Sequence, residues 1–275
     1  MREEKERTED LRVLRLIHTG VRRKEKEGVH PFHELYYISE GSCSVFIGHR
    51  VYALKEGDFA VIPAGAPHRT DYISTGQNTK YVVSFSRKTA KQVDVFLGEE
   101  LTGKILRPGR IRVPVQRREA IGRLLARMLY EYENQPTHAA SFCKACLAEV
   151  LISLERYREG QEEAEGLVSP KEERMQAVAA YLAEHLREDL NLTELARVFS
   201  LSPSHLSRTF HEATGFGIRE YLISLRIQRA GELLLNSGLT ITEIADQCGF
   251  SDGNYFGDAF RRTMGVSPRE YRKLG

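Results

Sequence analysis

Over residues 34–86 the apolar positions fall in short runs rich in β-branched and aromatic residues: ELYYIS, CSVFIG, RVYALK, FAVIPAG and KYVVSFS. Turn residues separate the runs, and Gly48-His49 has the length of a two-residue hairpin. Many short strands with turns predict a β-sandwich or small barrel. After about residue 88 the period changes. Ile121, Leu124, Leu125, Met128, Leu129 and Tyr132 follow the i, i+3, i+4 rule of an amphipathic helix. A second helix follows NQPTH, with Leu147, Val150, Leu151 and Leu154 on one stripe. Both stripes need a partner, either the β domain or a second copy of the chain. The stretch REGQEEAEGLVS (158–169) is polar, acidic and glycine-containing, as a linker is. Ser169-Pro170-Lys171-Glu172 then spells a capping box with proline at the first helical position.

The last hundred residues repeat. TELARVFSLS (193–202) matches TEIADQCGFS (242–251) at an offset of 49. After one inserted residue the match resumes at an offset of 50: Leu206 with Phe256, Phe210 with Phe260, Gly215 with Gly265, and REY 219–221 with REY 269–271. Each copy reads as a short helix, a tight turn and a second helix ending at glycine. The small Ala196 and Ala245 allow the paired helices to approach closely. This is a helix-turn-helix written twice.

In the first copy Ser202 is the expected N-cap and Pro203 the first helical residue. At 100° per residue Leu206 and Phe210 define the buried face. Ser204, Ser207, Arg208 and His211 cluster opposite, on the face that enters the major groove in such motifs. Arginine can hold guanine through two bonds, and serine can reach bases or phosphates. The same geometry in the second copy exposes Asn254, Gly257, Asp258 and Arg261. Asparagine suits adenine, whereas Asp258 repels phosphates. Residues 218–238 read as one helix joining the copies. About 20 residues at 1.5 Å each span roughly 30 Å, close to one DNA turn. Arg226 and Arg229 on it are either phosphate contacts or ordinary surface charge.

Net charge adds a constraint. The 275-residue chain carries +2, but residues 171–275 hold 13 basic and 14 acidic side chains, so a DNA surface there must be locally concentrated. The first ten residues, MREEKERTED, lack the apolar core of a secretion signal, and no apolar run is long enough to span a membrane. A cytoplasmic location with reduced thiols is expected for Cys43, Cys143, Cys146 and Cys248. The C-x-x-C at 143–146 lies on a helix stripe without a second pair, as packing residues do.

Residues 171–275 resemble the AraC/XylS family of bacterial transcription regulators. The most specific stretch is IADQCGFSDGNYFGDAFRRTMGVSPREYRK (244–273). It carries the family's pattern at Ile244, Ala245, Gly249, Phe250, Tyr255, Phe256, Phe260, Arg261, Gly265, Ser267, Pro268, Tyr271 and Arg272. Gly257 and Asp258 stand where the family usually has a small hydroxyl residue and a basic one, and His211 replaces a usual lysine. The first unit is therefore expected to carry more of the DNA affinity. The N-terminal half resembles a cupin sensor domain. GDFAVIPAGAPH (57–68) fits the second cupin motif and HPFHELYYISEG (30–41) the latter part of the first.

In metal-binding cupins the equivalents of His30, Glu34 and His68 hold a divalent ion. Here the first histidine of motif one is replaced by Gly28 and the last asparagine of motif two is absent. The expectation is no metal and no cofactor, with His30, His33, Glu34, Tyr36 and His68 lining a pocket for a small polar effector. The expected fold class is α+β: a cupin-like barrel (1–90), a helical dimerisation segment (91–158), a linker (159–170) and an all-α DNA-binding domain of two helix-turn-helix units joined by a long helix (171–275). The resemblance implies a regulator rather than an enzyme. Its expected partners are double-stranded DNA, a sugar or related effector, a second copy of the chain and RNA polymerase. The rivals are an effector-independent dimeric regulator and a metal-binding cupin enzyme carrying a DNA-binding domain.

Overall fold

The computed structural model describes residues 10–21, 28–72, 75–98, 100–159 and 170–273. Most of the expected linker, at 160–169, lies outside these residues, as do Ser169 and the side chain of Glu172 from the expected capping box.

Among the described residues, eight strands form two antiparallel sheets. The larger has the order β1 (Leu11–Thr19), β7 (Gln77–Ser86), β2 (Phe32–Glu40), β5 (Asp58–Ile62) and β8 (Gly109–Arg112). The smaller has the order β4 (Arg50–Lys55), β3 (Ser42–Ile47) and β6 (His68–Tyr72). The five apolar runs become β2, β3, β4, β5 and β7. Gly48 takes φ +62° in the two-residue loop that pairs Ile47 with Arg50. Three strands lack such a run. β1 is an edge strand with Leu16 and Ile17 exposed, β6 has the polar sequence HRTDY, and β8 has four residues. β8 falls inside the stretch expected to be helical. It joins the sheet because Asp58–Val61 offers it a free edge.

The two sheets enclose a core of Tyr36, Ile38, Cys43, Val45, Ile47, Ile62, Tyr72 and Val82. The other face of the larger sheet presents Leu35, Tyr37, Phe59, Val61, Val83 and Phe85 to four helices: α1 (Arg87–Leu97), α2 (Leu101–Ile105), α3 (Val115–Asn134) and α4 (Ala139–Arg158). β2 is thus buried on both faces, which explains its nearly unbroken apolar run. The α3 and α4 stripes, Ile121 to Met128 and Leu147 to Leu154, are buried here within one chain. Cys143 and Cys146 pack among them, and all four cysteines are free and buried.

The C-terminal part is helical: α5 (Pro170–Glu184), α6 (Leu192–Val198), α7 (Pro203–Thr214), α8 (Ile218–Asn236), α9 (Ile241–Gln247), α10 (Gly253–Met264) and α11 (Pro268–Arg272). α8 serves two cores. Its first half places Tyr221 and Leu225 with α5, α6 and α7, and its second half places Ile227, Ala230 and Leu234 with α9, α10 and α11. The repeat is exact in backbone bonding at the turn. Ala196 O accepts from Leu201 N at 2.9 Å, and Ala245 O accepts from Phe250 N at 2.9 Å. The inserted residue is a cap. Ser202 Oγ accepts from His205 N, whereas in the second unit the Asp252 carboxylate accepts from Asn254 N and Tyr255 N.

Both turns pass through a left-handed residue, Ser200 at φ +54° and Gly249 at φ +78°. A Cβ on Gly249 would lie 2.8 Å from Leu186 O and 2.9 Å from the Arg187 backbone. Glycine is therefore required in the second turn by conformation and by space. Gly249→Ala is expected to cost the C-terminal domain at least ~2 kcal/mol in chemical denaturation. Ser200→Gly should be neutral or stabilising, by up to about 1 kcal/mol, because it relieves a disfavoured φ.

Candidate functional site

The side chains singled out in the sequence fall into two sets, and one residue, His33, lies apart from both. The first is the outer face of the paired helices. Leu206 and Phe210 are fully buried in α7, while Ser204, Ser207, Arg208 and His211 are exposed. Arg208 approaches His205 Nδ1 at 3.4 Å, a long contact that leaves its guanidinium available. In α10, Phe256 and Phe260 are buried, Asn254, Asp258 and Arg261 are exposed, and Gly257 is intermediate. The groove between the units is lined by exposed Arg187, Arg219 and Arg262 together with Ser207 and Tyr255. Acidic Asp189, Glu220 and Asp246 line it too, so its charge is mixed. Arg226 and Arg229 of α8 are engaged within the protein. Arg226 donates to Leu186 O and Glu188 O at 2.7 and 2.8 Å, closing the loop after α5, and Arg229 pairs with Glu232 at 2.9 Å.

The second set lies between the sheets. β2 turns Glu34 and Tyr36 inward. Glu34 Oε1 accepts from Ser84 Oγ at 2.8 Å, and Oε2 accepts from Tyr36 Oη at 2.8 Å. Nε2 of His30 and of His68 stand 3.4 and 3.3 Å from the same Oε2. Burial alone would raise the Glu34 pKa, but the bonds and charges of the two histidines outweigh it and lower it. Burial likewise would lower the His30 pKa, and Glu34 reverses that into a rise.

Sequence reasoning missed the neighbours of this cluster. Lys80 is buried with its Nζ 4.4 Å from the Tyr36 ring centre and 5.4 Å from that of Tyr72, and it donates to Thr70 Oγ1 at 3.5 Å. Lys80, Val82 and Ser84 alternate along β7 and so share this inner face, a signal that was available in KYVVSFS. His33, expected in the pocket, is not brought to the cluster. It is an odd residue of β2, so it faces outward, lies tilted against the Phe85 ring at 5.5 Å and accepts from Ala64 N at 3.1 Å. Burial, aided by the Arg87 and His30 charges, pulls its pKa down to about 3.

The cluster also answers whether a divalent ion could sit here. Nε2 of His30, Nε2 of His68 and a Glu34 oxygen lie within 4.8 Å of one another. His68 Nδ1 donates to Ala66 O at 3.0 Å, so Nε2 is the nitrogen that faces Glu34 and would face an ion held beside it. That is the orientation a metal-bound imidazole has. Gly28, where a further histidine would stand in a full set, packs against the His68 ring. A Cβ there would lie 2.7 Å from His68 Nε2. Three donors fit an ion, and no fourth side chain has room at position 28.

A ligand-binding β domain joined to paired helix-turn-helix units defines the class: a DNA-binding transcription regulator with an N-terminal effector domain. Residues 12–151 match the AraC-like ligand binding domain, and residues 195–274 match a helix-turn-helix domain. The chain belongs to the AraC/XylS family of transcription regulators. It is similar to the HTH-type transcriptional activator RhaS of Shigella sonnei (strain Ss046), with 30% identity over 89% of this chain and 86% of the relative. It is also similar to RhaS of Enterobacter sp. (strain 638), with 28% identity over the same shares. Among solved structures, unsaturated fatty acid bound ToxT from Vibrio cholerae strain SCE256 aligns over 100% of this chain and 98% of its own, at 15% identity and a TM-score of 0.41. No helix among the described residues is long and apolar enough to cross a membrane.

The burial of His33 gives a pH test. Its folded pKa lies well below the ordinary 6.5, so the unfolded chain takes up the proton first as pH falls. Stability contributed by neutral His33 is therefore present above about pH 6.5 and is lost progressively toward pH 3. Relative to His33→Asn, whose amide oxygen can replace the acceptor, the wild-type chain should lose about 2 kcal/mol more between pH 7.5 and 5 in denaturant titrations.

Proposed function

We infer that the chain is a ligand-responsive transcriptional activator whose effector is a small polyhydroxylated molecule, a sugar or a close derivative. The observation that carries this reading is Glu34. A buried carboxylate, held by Tyr36 and Ser84 hydroxyls and flanked by two imidazoles, presents acceptors and donors matched to ligand hydroxyls. The two RhaS relatives are named activators, which supports the direction of regulation. The reading includes a cytoplasmic homodimer that contacts RNA polymerase. Because the α3 and α4 stripes are buried against the chain's own sheet, such a dimer would use other surfaces. Exposed Val95 and Phe96 on α1 and Tyr130 on α3 are available for it.

A second reading of the same cluster is favoured by the three convergent donor atoms. His30, Glu34 and His68 would hold a divalent ion, which would supply a Lewis-acid anchor for a ligand hydroxyl.

On DNA, Ser204, Ser207, Arg208 and His211 read one major-groove segment and Asn254, Gly257, Asp258 and Arg261 the next. The 19 residues of α8 span ~28 Å between them. Arg208 supplies the specific contact of the first unit, and Asp258 weakens the second.

Two experiments test these readings. In a thermal-shift screen of monosaccharides, sugar acids and divalent ions, a true effector at 100 times its Kd should stabilise the folded chain by about 2.7 kcal/mol. Glu34→Gln should abolish that shift. A shift with Zn²⁺ or Mn²⁺ alone selects the second reading, and no shift with any compound sinks both. Arg208→Ala should weaken binding to a selected site by about 1–3 kcal/mol and relax preference at one base, whereas unchanged base preference removes Arg208 from the reading face.

A further inference from the structure

The outer face of the smaller sheet is covered by the first helix-turn-helix unit. Phe46 on β3 is buried in the core formed by α5, α6, α7 and the start of α8, 6.0 Å from the Tyr221 ring, with Val51 of β4 beside it. Tyr221 Oη donates to Gly48 O at 2.5 Å. Directly across from Phe46 on β6 stands Arg69, which is 4% exposed. Its guanidinium donates to Glu212 O and Ala213 O at 3.1 and 3.0 Å, and more weakly to His211 O at 3.4 Å. Asp71 holds the same guanidinium at 2.6 Å. These carbonyls belong to the last turn of α7, where the Gly215 N–H closes the helix on His211 O, Glu212 O and Ala213 O lie beyond that last bond, and the helix dipole is negative. The chain that leads into Arg69 touches the other reading helix. A Cβ on Gly65 would lie 2.8 Å from Met264 Cε, at the end of α10. Beyond β7, the Arg87 guanidinium lies 5.6 Å over the ring of Tyr271, the repeat counterpart of Tyr221.

Residues 63–69, PAGAPHR, therefore meet three things at once. Gly65 abuts the end of α10, His68 points inward to Glu34, and Arg69 grips the end of α7. We propose that this segment is the coupling element of the protein, with Arg69 as a positioning residue that fixes α7 relative to α10, so that the state of the barrel interior sets the spacing of the two reading helices. The docked contact leaves Ser204, Ser207, Arg208 and His211 exposed, so it constrains the reading helix without covering it. The proposal rests on the reading of α7 and α10 as the DNA-facing helices and on the interior cluster as the effector site.

The test uses the full chain and a duplex that it selects from a random library, with one base pair added or removed between the two contacted halves. The wild-type chain should prefer the selected spacing by about tenfold or more, since one base pair shifts a groove along and around the helix. Arg69→Gln should shrink that preference to about threefold or less while binding to random duplex stays unchanged, and Arg69→Lys, which keeps the charge, should restore part of it. Gly65→Ala should shift the preference in the same direction from the α10 side. Wild-type spacing preference in both variants overturns the proposal, and so does an equal loss on every duplex, which marks general destabilisation. Arg208→Ala on the selected duplex separates the underlying reading. If it leaves affinity intact, α7 does not face DNA and the proposal falls with that reading. If it weakens binding while Arg69→Gln changes nothing, the coupling alone fails.

Discussion

Among the described residues, the outer face of the three-stranded sheet has no helix of its own domain to cover it. Two sheets stacked face to face present three layers of apolar surface, and each must be removed from water. The middle layer is filled by the strands themselves, and the far side of the larger sheet by α1 to α4. The near side, where Phe46 and Arg69 sit across from each other, is closed among the described residues by the core of α5, α6, α7 and α8. Much else follows from that contact. It buries an arginine whose charge must be met by carbonyls at a helix end. It aligns α7 with the barrel, and it leaves the polar face of that helix turned away.

Strand alternation does the rest. On β6 the side chains at 68 and 70 look into the barrel while those at 69 and 71 look out. On β2 the side chains at 34 and 36 look in while 33, 35 and 37 look toward the helices. A single strand can thus hold a barrel-facing group and a domain-facing group 3.8 Å apart along the chain, which is the shortest covalent path available between two surfaces.

Legibility in the sequence divides along the same physical line. Runs buried on both faces, such as those of β2, β5 and β7, announce themselves, and so does a helix-turn-helix written twice. β6 was invisible because its residues are chosen for polar contacts on each side rather than for burial, and HRTDY reads as loop. β1 and β8 are edges with little apolar demand. The cluster of His30, Glu34, Tyr36 and His68 could be named from motif spacing. The parity of His33 could not, because a strand apolar on both faces does not say which face is the pocket. The interdomain role of Arg69 carried no signal, since beyond its strand neighbour Asp71 its partners are backbone carbonyls more than 140 positions away. The linker helix α8 was legible as a helix, but not the fact that Arg226 ties down the loop after α5.

Phe46 is part of the hydrophobic core of a domain to which it does not belong in sequence. The two halves of this regulator are therefore not interchangeable cassettes. A chimera that joins this DNA-binding half to another sensor inherits an open socket around Phe210 and Tyr221, lined by aromatic rings and left without its plug. The new sensor would need a bulky apolar residue at the hairpin and a cation across the strand from it. Recombination between members of such a family is then filtered by a two-residue match at the seam between the two domains.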